Sequence, residues 1–248
     1  MGSTLGASFI ADAERAAGVT AQPGLPARYS EPWRGEFYAR LDDVLAPGVE
    51  VLDVGAGSNP ALPVNSRPPG CCYVGLDISA DELEQALPGS YDETIVADVT
   101  TRITDLEHRF DVVVSLDVLE HLTDVGLALE NLRVYLRPGG ALVARMSARY
   151  SAFAVVNRLV PLRFGMWAMK HLLSREAEAF PARYDRCYYS ALEEILRSWR
   201  EFEIVPFYRA AEYFYFSRVV QRLYVGYEDW ALRGHPNLAT HYLVFART

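Results

Sequence analysis

The chain has 248 residues, half of them apolar, and a formal net charge of −8. That is enough apolar chain for one large α/β domain with a sizeable core, and too much for a disordered protein. The acidic balance argues against a nucleic-acid partner, which would need a basic face for phosphate.

In chain order, Met1 to Gly6 has neither the basic start nor the apolar core of a secretory leader, and Gly6 breaks the myristoylation pattern. No apolar run reaches membrane-spanning length, so a soluble, cytoplasmic protein without integral membrane contact is expected. Ala7 to Ala17 reads as a short amphipathic helix, and Gln22-Pro23-Gly24-Leu25-Pro26 as a breaker-rich linker. A helix is predicted from about Arg34 to Leu45, stopped at Ala46-Pro47-Gly48.

Val49 to Val54 is short, β-branched and without polar alternation, as in a parallel strand covered on both faces. It opens into Gly55-Ala56-Gly57-Ser58-Asn59-Pro60, where two glycines permit a sharp turn and close approach to a ligand. Leu62 to Ser66 reads as a short first helix. Cys71 to Leu76 is a second apolar run, ending in Asp77 about 20 residues past the glycines, where a nucleotide-binding fold places a carboxylate for ribose hydroxyls. Ser79 and Glu82 form a capping box for the next helix. A third run, Thr94 to Ala97, ends in Asp98. A fourth, Phe110 to Ser115, leads into Leu116-Asp117-Val118-Leu119-Glu120-His121-Leu122. Thr123 is the predicted cap of a helix from Asp124 to Tyr135, and the turn Leu136-Arg137-Pro138-Gly139-Gly140 precedes a fifth run, Ala141 to Arg145.

Beyond Met146, Ser151 to Leu173 reads as a helical insertion carrying Arg158, Arg163 and Lys170 among aromatic and aliphatic residues. It has three readings: a cap on the site, a homodimer contact, or a membrane-surface helix beside a lipid-like substrate. Ser174 to Cys187 is polar and irregular. A capped helix over Ser190 to Trp199, a strand over Phe202 to Tyr208, a long aromatic helix over Tyr213 to Leu232 and a last strand over Tyr242 to Arg247 complete the chain. Cys71, Cys72 and Cys187 show no zinc spacing and read as small buried hydrophobes; no metal site is expected.

The segments DVGAGSNP, GLDIS, VADVT, FDVVVSLDVLEHL and LRPGGALVAR, spanning roughly Val49 to Met146, together resemble the class I S-adenosylmethionine (SAM)-dependent methyltransferases, in particular the small-molecule-modifying branch. Asn59 departs from the third glycine that many members carry. The resemblance implies a Rossmann-like, doubly wound α/β fold with a mostly parallel seven-stranded sheet, an N-terminal helical cap and a helical insertion after the fifth strand. One domain, 1–248, would comprise the cap (1–48), the SAM-binding core (49–146), the insertion (147–189) and the C-terminal part of the sheet (190–248). The cap would pack over the SAM pocket, with Tyr29, Trp33 and Tyr38 as lid residues or simply packing aromatics.

By the same resemblance, Asp53 orders the loop and reaches the SAM ammonium through water, and Gly55, Ala56 and Gly57 approach its tail and ribose. Asp77 holds the ribose hydroxyls and Ile78 lies against adenine. Asp98 accepts from the adenine amino group with Val99 beside it, while Ser115 and Leu116 contact the methionyl part. His121 is the candidate catalytic base, with a pocket-lining role as its alternative. Glu120 reads as loop support, and His171, Tyr184, Arg186 and Tyr188 are candidates to face the acceptor. His108, His235 and His241 look peripheral. The implied activity is methyl transfer to O, N or C of a small-molecule or lipid-like acceptor. A SAM-binding protein without that activity is the alternative. An NAD-linked oxidoreductase is disfavoured, because Pro60 occupies the sixth position of the dinucleotide fingerprint.

Overall fold

The computed structural model describes residues 24–30, 33–151, 182–214 and 216–248. Among them, seven strands form one sheet in the order β3-β2-β1-β4-β5-β7-β6. The strands are β1 Glu50–Val54, β2 Cys72–Asp77, β3 Glu93–Val96, β4 Phe110–Leu116, β5 Leu136–Ser147, β6 Glu201–Phe207 and β7 His241–Arg247. Strands β1 to β5 pair in parallel, whereas β7 runs antiparallel to both β5 and β6. The helices are α1 Trp33–Asp42, α2 Ala80–Glu84, α3 Val125–Tyr135, α4 Tyr189–Leu196 and α5 Arg218–Ala231.

Strand β1 shows why its sequence lacks alternation. Leu52 and Val54 pack with Leu129 and Leu132 of α3, while Val51 packs on the opposite face with Phe37 and Leu41 of α1. Both faces are covered, and each Leu or Val fully buried there contributes about 1.5–3 kcal/mol. Asp53 is the polar exception, buried between them. Strand order reverses between β1 and β4, so the carboxyl ends of these two strands meet at the crevice where open α/β sheets bind ligands.

Several element boundaries differ from the sequence reading, each for a local reason. The helix expected over Leu62 to Ser66 is a single 3-10 turn, Val64–Ser66, which begins after Pro63 and ends at Arg67, held extended by the following Pro68. Asp124, not Thr123, caps α3 by accepting from Leu127 N. Helix α4 starts at Tyr189 without a side-chain cap, and the Ser190 N–H donates to Asn237 Oδ1 instead. The long aromatic helix is broken in two: a 3-10 turn over Ala211–Phe214, then α5, which Ser217 caps by accepting from Val220 N. The Leu136 to Gly140 turn lies inside β5, as an irregularity between the pairs Phe110↔Leu136 and Val112↔Ala141. The helix expected over Ala7 to Ala17, and the insertion beyond Ser151 with Arg158, Arg163, Lys170 and His171, lie outside the described residues.

Candidate active site

The loop after β1 is shaped by two left-handed glycines, Gly55 (φ 71°) and Gly57 (φ 48°). Gly55 N and Ala56 N both donate to Leu76 O, at 2.8 and 3.1 Å, folding the loop toward β2. Asp77, at the end of β2, accepts from Gly57 N through Oδ2 at 3.0 Å and from Ser79 N through Oδ1 at 2.8 Å. The carboxylate is thus aimed along the glycine loop by two backbone donors. Beside it, the Ile78 side chain is 65% exposed, an apolar surface next to a polar rim.

Asp53 does its work inside the protein. Its Oδ2 accepts from Ala61 N and from the Tyr73 hydroxyl, both at 2.8 Å. Burial pushes its carboxyl up to about 7, against the opposing pull of these two donors and of Arg67. Tyr73 in turn accepts from Leu62 N at 3.0 Å. The Arg67 guanidinium stacks over the Tyr73 ring at 3.7 Å and donates to Leu62 O and Ser90 O. From the other side, the Tyr91 hydroxyl donates to Ala56 O at 2.7 Å and also reaches Gly57 O at 3.2 Å. Tyr38 donates to Ala61 O.

Tyr73, Tyr91 and Arg67 are therefore the scaffold of the loop, a role the residue pattern did not assign to them. One signal was available: Gly75 interrupts an otherwise apolar strand. A Cβ there would meet the Tyr91 ring at 2.8 Å, the close approach that a glycine inside a strand often marks.

Strand pairing gathers the remaining expected residues. Val54 pairs with Ser115, Asp53 with Gly75 and Asp77 with Val96. Ser115 is fully buried, its hydroxyl 3.4 Å from Val54 O, and the half-buried Leu116 ends β4. Asp98 lies just beyond β3, with Oδ1 accepting from Thr100 N and Oγ1 at 2.8 and 2.7 Å. Val99 is buried, and its carbonyl accepts from Asn131 Nδ2.

On the β4–β5 side, Asp117 adopts a left-handed conformation and pairs with Arg145. His121 ends the 3-10 turn Leu119–His121, half-buried, its N–H donating to Val118 O. Glu120 is buried; Oε1 accepts from Ser147 N at 3.0 Å, and its carbonyl accepts from Arg183 N and Tyr184 N. Burial, then the charge of Asp117, push this carboxyl up to about 7. Tyr184 is buried and Arg149 donates to its carbonyl, so the 182–188 stretch lies across the ends of β4 and β5.

One expectation needs correction. His241 is not peripheral: it pairs with Ser147 across β5 and β7, at the same end of the sheet as the glycine loop, three strands from β1. Thr240 Oγ1 donates to Phe207 O at 2.7 Å and accepts from Arg209 N, so it can only accept from His241 Nδ1, which must carry the ring proton. Burial, with Arg145 and Arg209 nearby, pushes this imidazole down to about 3, so it stays neutral. The antiparallel direction of β7, invisible in residue spacing, is what brings it there. Of the two readings open for Tyr29, the packing one holds: it is buried, and its hydroxyl bonds to the buried Glu228 and accepts from Ala211 N, tying the N-terminal stretch to α5.

A cavity of about 330 Å³ between α1 and the end of β6, lined by Arg28, Glu36, Phe207 and Arg209, lies strands away from Asp77. Among the described residues no group of three or more His, Cys, Asp or Glu is placed to hold a metal ion, and no helix is long and apolar enough to cross a membrane.

A family model described as a methyltransferase domain matches residues 27–212. Ubiquinone biosynthesis O-methyltransferase of Nitrobacter winogradskyi is 30% identical over 112 residues, covering 44% of this chain and 42% of that protein. The chain thus matches less than half the length of that relative. Among solved structures, the Haemonchus contortus phosphoethanolamine N-methyltransferase 2 in complex with SAM aligns at a TM-score of 0.52 and 16% identity, over 87% of this chain and 52% of that one. A SAM-dependent methyltransferase from Archaeoglobus fulgidus aligns at 0.53 and 16%, over 85% and 90%. These structures share the fold; the family match decides the kinship. The chain belongs to the methyltransferase-domain family of class I SAM-dependent methyltransferases.

Proposed function

We propose that this chain transfers the methyl group of SAM to O, N or C of a small-molecule or lipid-like acceptor. The observation that carries the reading is the pairing of the glycine loop with Asp77. Left-handed Gly57 presents a Cβ-free backbone, and a carboxylate is oriented beside it by Gly57 N and Ser79 N. Each oxygen of that carboxylate keeps lone pairs for ribose hydroxyls, and the bare Ile78 side chain fits one face of an adenine ring. Asp98 and Val99 would complete the adenine site, and Ser115 and Leu116 the methionyl site. Asp53 would reach the ammonium only through Oδ1, since Oδ2 serves Ala61 and Tyr73.

When bound, SAM supplies an electrophilic methyl group on a sulfonium that is already a good leaving group. What remains for the chain is to exclude water and align the acceptor. His121 is the proposed base for an acceptor that must lose a proton, placed one turn beyond β4. The neutral His241 is suited to accept a hydrogen bond at the same end of the sheet and is too weak a base for that task at neutral pH. The test is label transfer from methyl-tritiated SAM to a panel of phenols, amines and isoprenoid quinols. Tritium in an organic-extractable product, with equimolar S-adenosylhomocysteine, is expected; SAM binding without transfer to any class supports the alternative of a binding protein.

A further inference from the structure

Asp117, directly after β4, is a non-glycine residue with φ 59°, a conformation that side chains disfavour. Two contacts hold it there. Its N–H donates to Arg145 O at 2.9 Å, and its carboxylate pairs with the Arg145 guanidinium. Arg145 is a strange residue for β5: its neighbours Ala144 and Met146 are fully buried, and its own side chain is only 8% exposed. A buried guanidinium is costly unless paired, so a role beyond solubility is needed to explain it.

The consequence of the left-handed turn falls on the next residue. Val118 is swung over the glycine loop, where a Cβ on Gly55 would meet its Cγ2 at 2.2 Å, its Cγ1 at 2.6 Å and its Cβ at 2.9 Å. Val118 therefore rests on the Gly55 backbone itself. The shape of the loop and the shape of the turn after β4 are mutually dependent, and Leu119 to His121 continue from that turn.

We propose that Arg145 is a positioning residue for the cofactor loop: by pairing with Asp117 it holds the left-handed turn that seats Val118 on Gly55. Arg145 acts through Asp117 and Val118 and need not touch the cofactor. The inference rests on the glycine loop being the SAM site.

Two substitutions at one position separate backbone shape from charge. Asp117→Ala and Asp117→Gly both delete the carboxylate and leave Arg145 equally without it, but only glycine adopts a positive φ freely. In calorimetric titration of the full chain, Asp117→Gly should bind SAM within about threefold of wild type, and Asp117→Ala about tenfold more weakly, the cost of the disfavoured backbone. Arg145→Met should weaken binding by a similar factor, and Arg145→Met with Asp117→Gly should return to the level of Asp117→Gly alone. Equal affinities for Asp117→Ala and Asp117→Gly, or wild-type affinity for Arg145→Met, would overturn the proposal. Should Arg145→Met not fold, Arg145→Gln takes its place with the same expected loss and the same overturning result. Silence of the wild-type protein toward SAM would instead refute the cofactor assignment, a distinguishable failure.

Discussion

Gly55→Ala is expected to destabilise the protein by about 2–4 kcal/mol and to abolish measurable SAM binding. Two costs add. Alanine at φ 71° is strained wherever it sits, and its Cβ would lie 2.2 to 2.9 Å from three carbons of Val118. Those atoms belong to a short branched side chain that cannot swing aside as a lysine tip would, so either the loop or the turn after β4 must move. A thermal-melt series checks the first effect and calorimetry the second. Val118→Ala should partly rescue Gly55→Ala, because it removes the two nearest atoms and leaves the Cβ at 2.9 Å. Wild-type stability for Gly55→Ala would show that the loop is far softer than its geometry indicates.

Asp77→Ala should weaken SAM affinity by at least tenfold while leaving the fold intact. Hydrogen bonds to a charged acceptor contribute roughly 1.5–3 kcal/mol each, so losing even one reaches that factor. The carboxylate also aims Gly57 N and Ser79 N, so part of the loss is orientation. Asp77→Asn should fare little better. Each carboxylate oxygen faces a backbone N–H, and an amide would have to set its own NH₂ against one of them. Unchanged affinity in either variant, measured by calorimetry, would remove Asp77 from the ribose site.

What was legible in the sequence was the part governed by local rules. Runs without polar alternation, such as Val49 to Val54, gave the buried strands, and the carboxylates or glycines at their ends marked the crevice. The Ser79 cap could be read because it depends on residues only three apart, and its hydroxyl accepts from Glu82 N; the other half of the capping box is replaced, with Ser79 N donating to Asp77 instead of Glu82. Long-range events were not legible. Ser190 is a good cap by composition, yet its N–H is taken by Asn237, 47 positions away. The roles of Tyr73 and Tyr91 were hidden because their partners, Asp53 and the Ala56 carbonyl, lie 20 and 35 positions away. His241 reaches the site's end of the sheet only through the antiparallel pairing of β7 with β5, which no spacing discloses. Asp117 and Arg145, 28 positions apart, form a pair visible only once β4 and β5 are side by side.

The measurement closest to the central claim is calorimetric titration of the purified protein with SAM and, separately, with NADH. A glycine loop closed by Asp77, with Pro60 where a dinucleotide site needs a small residue, predicts micromolar SAM binding and no heat from NADH. Heat from NADH and none from SAM would contradict it.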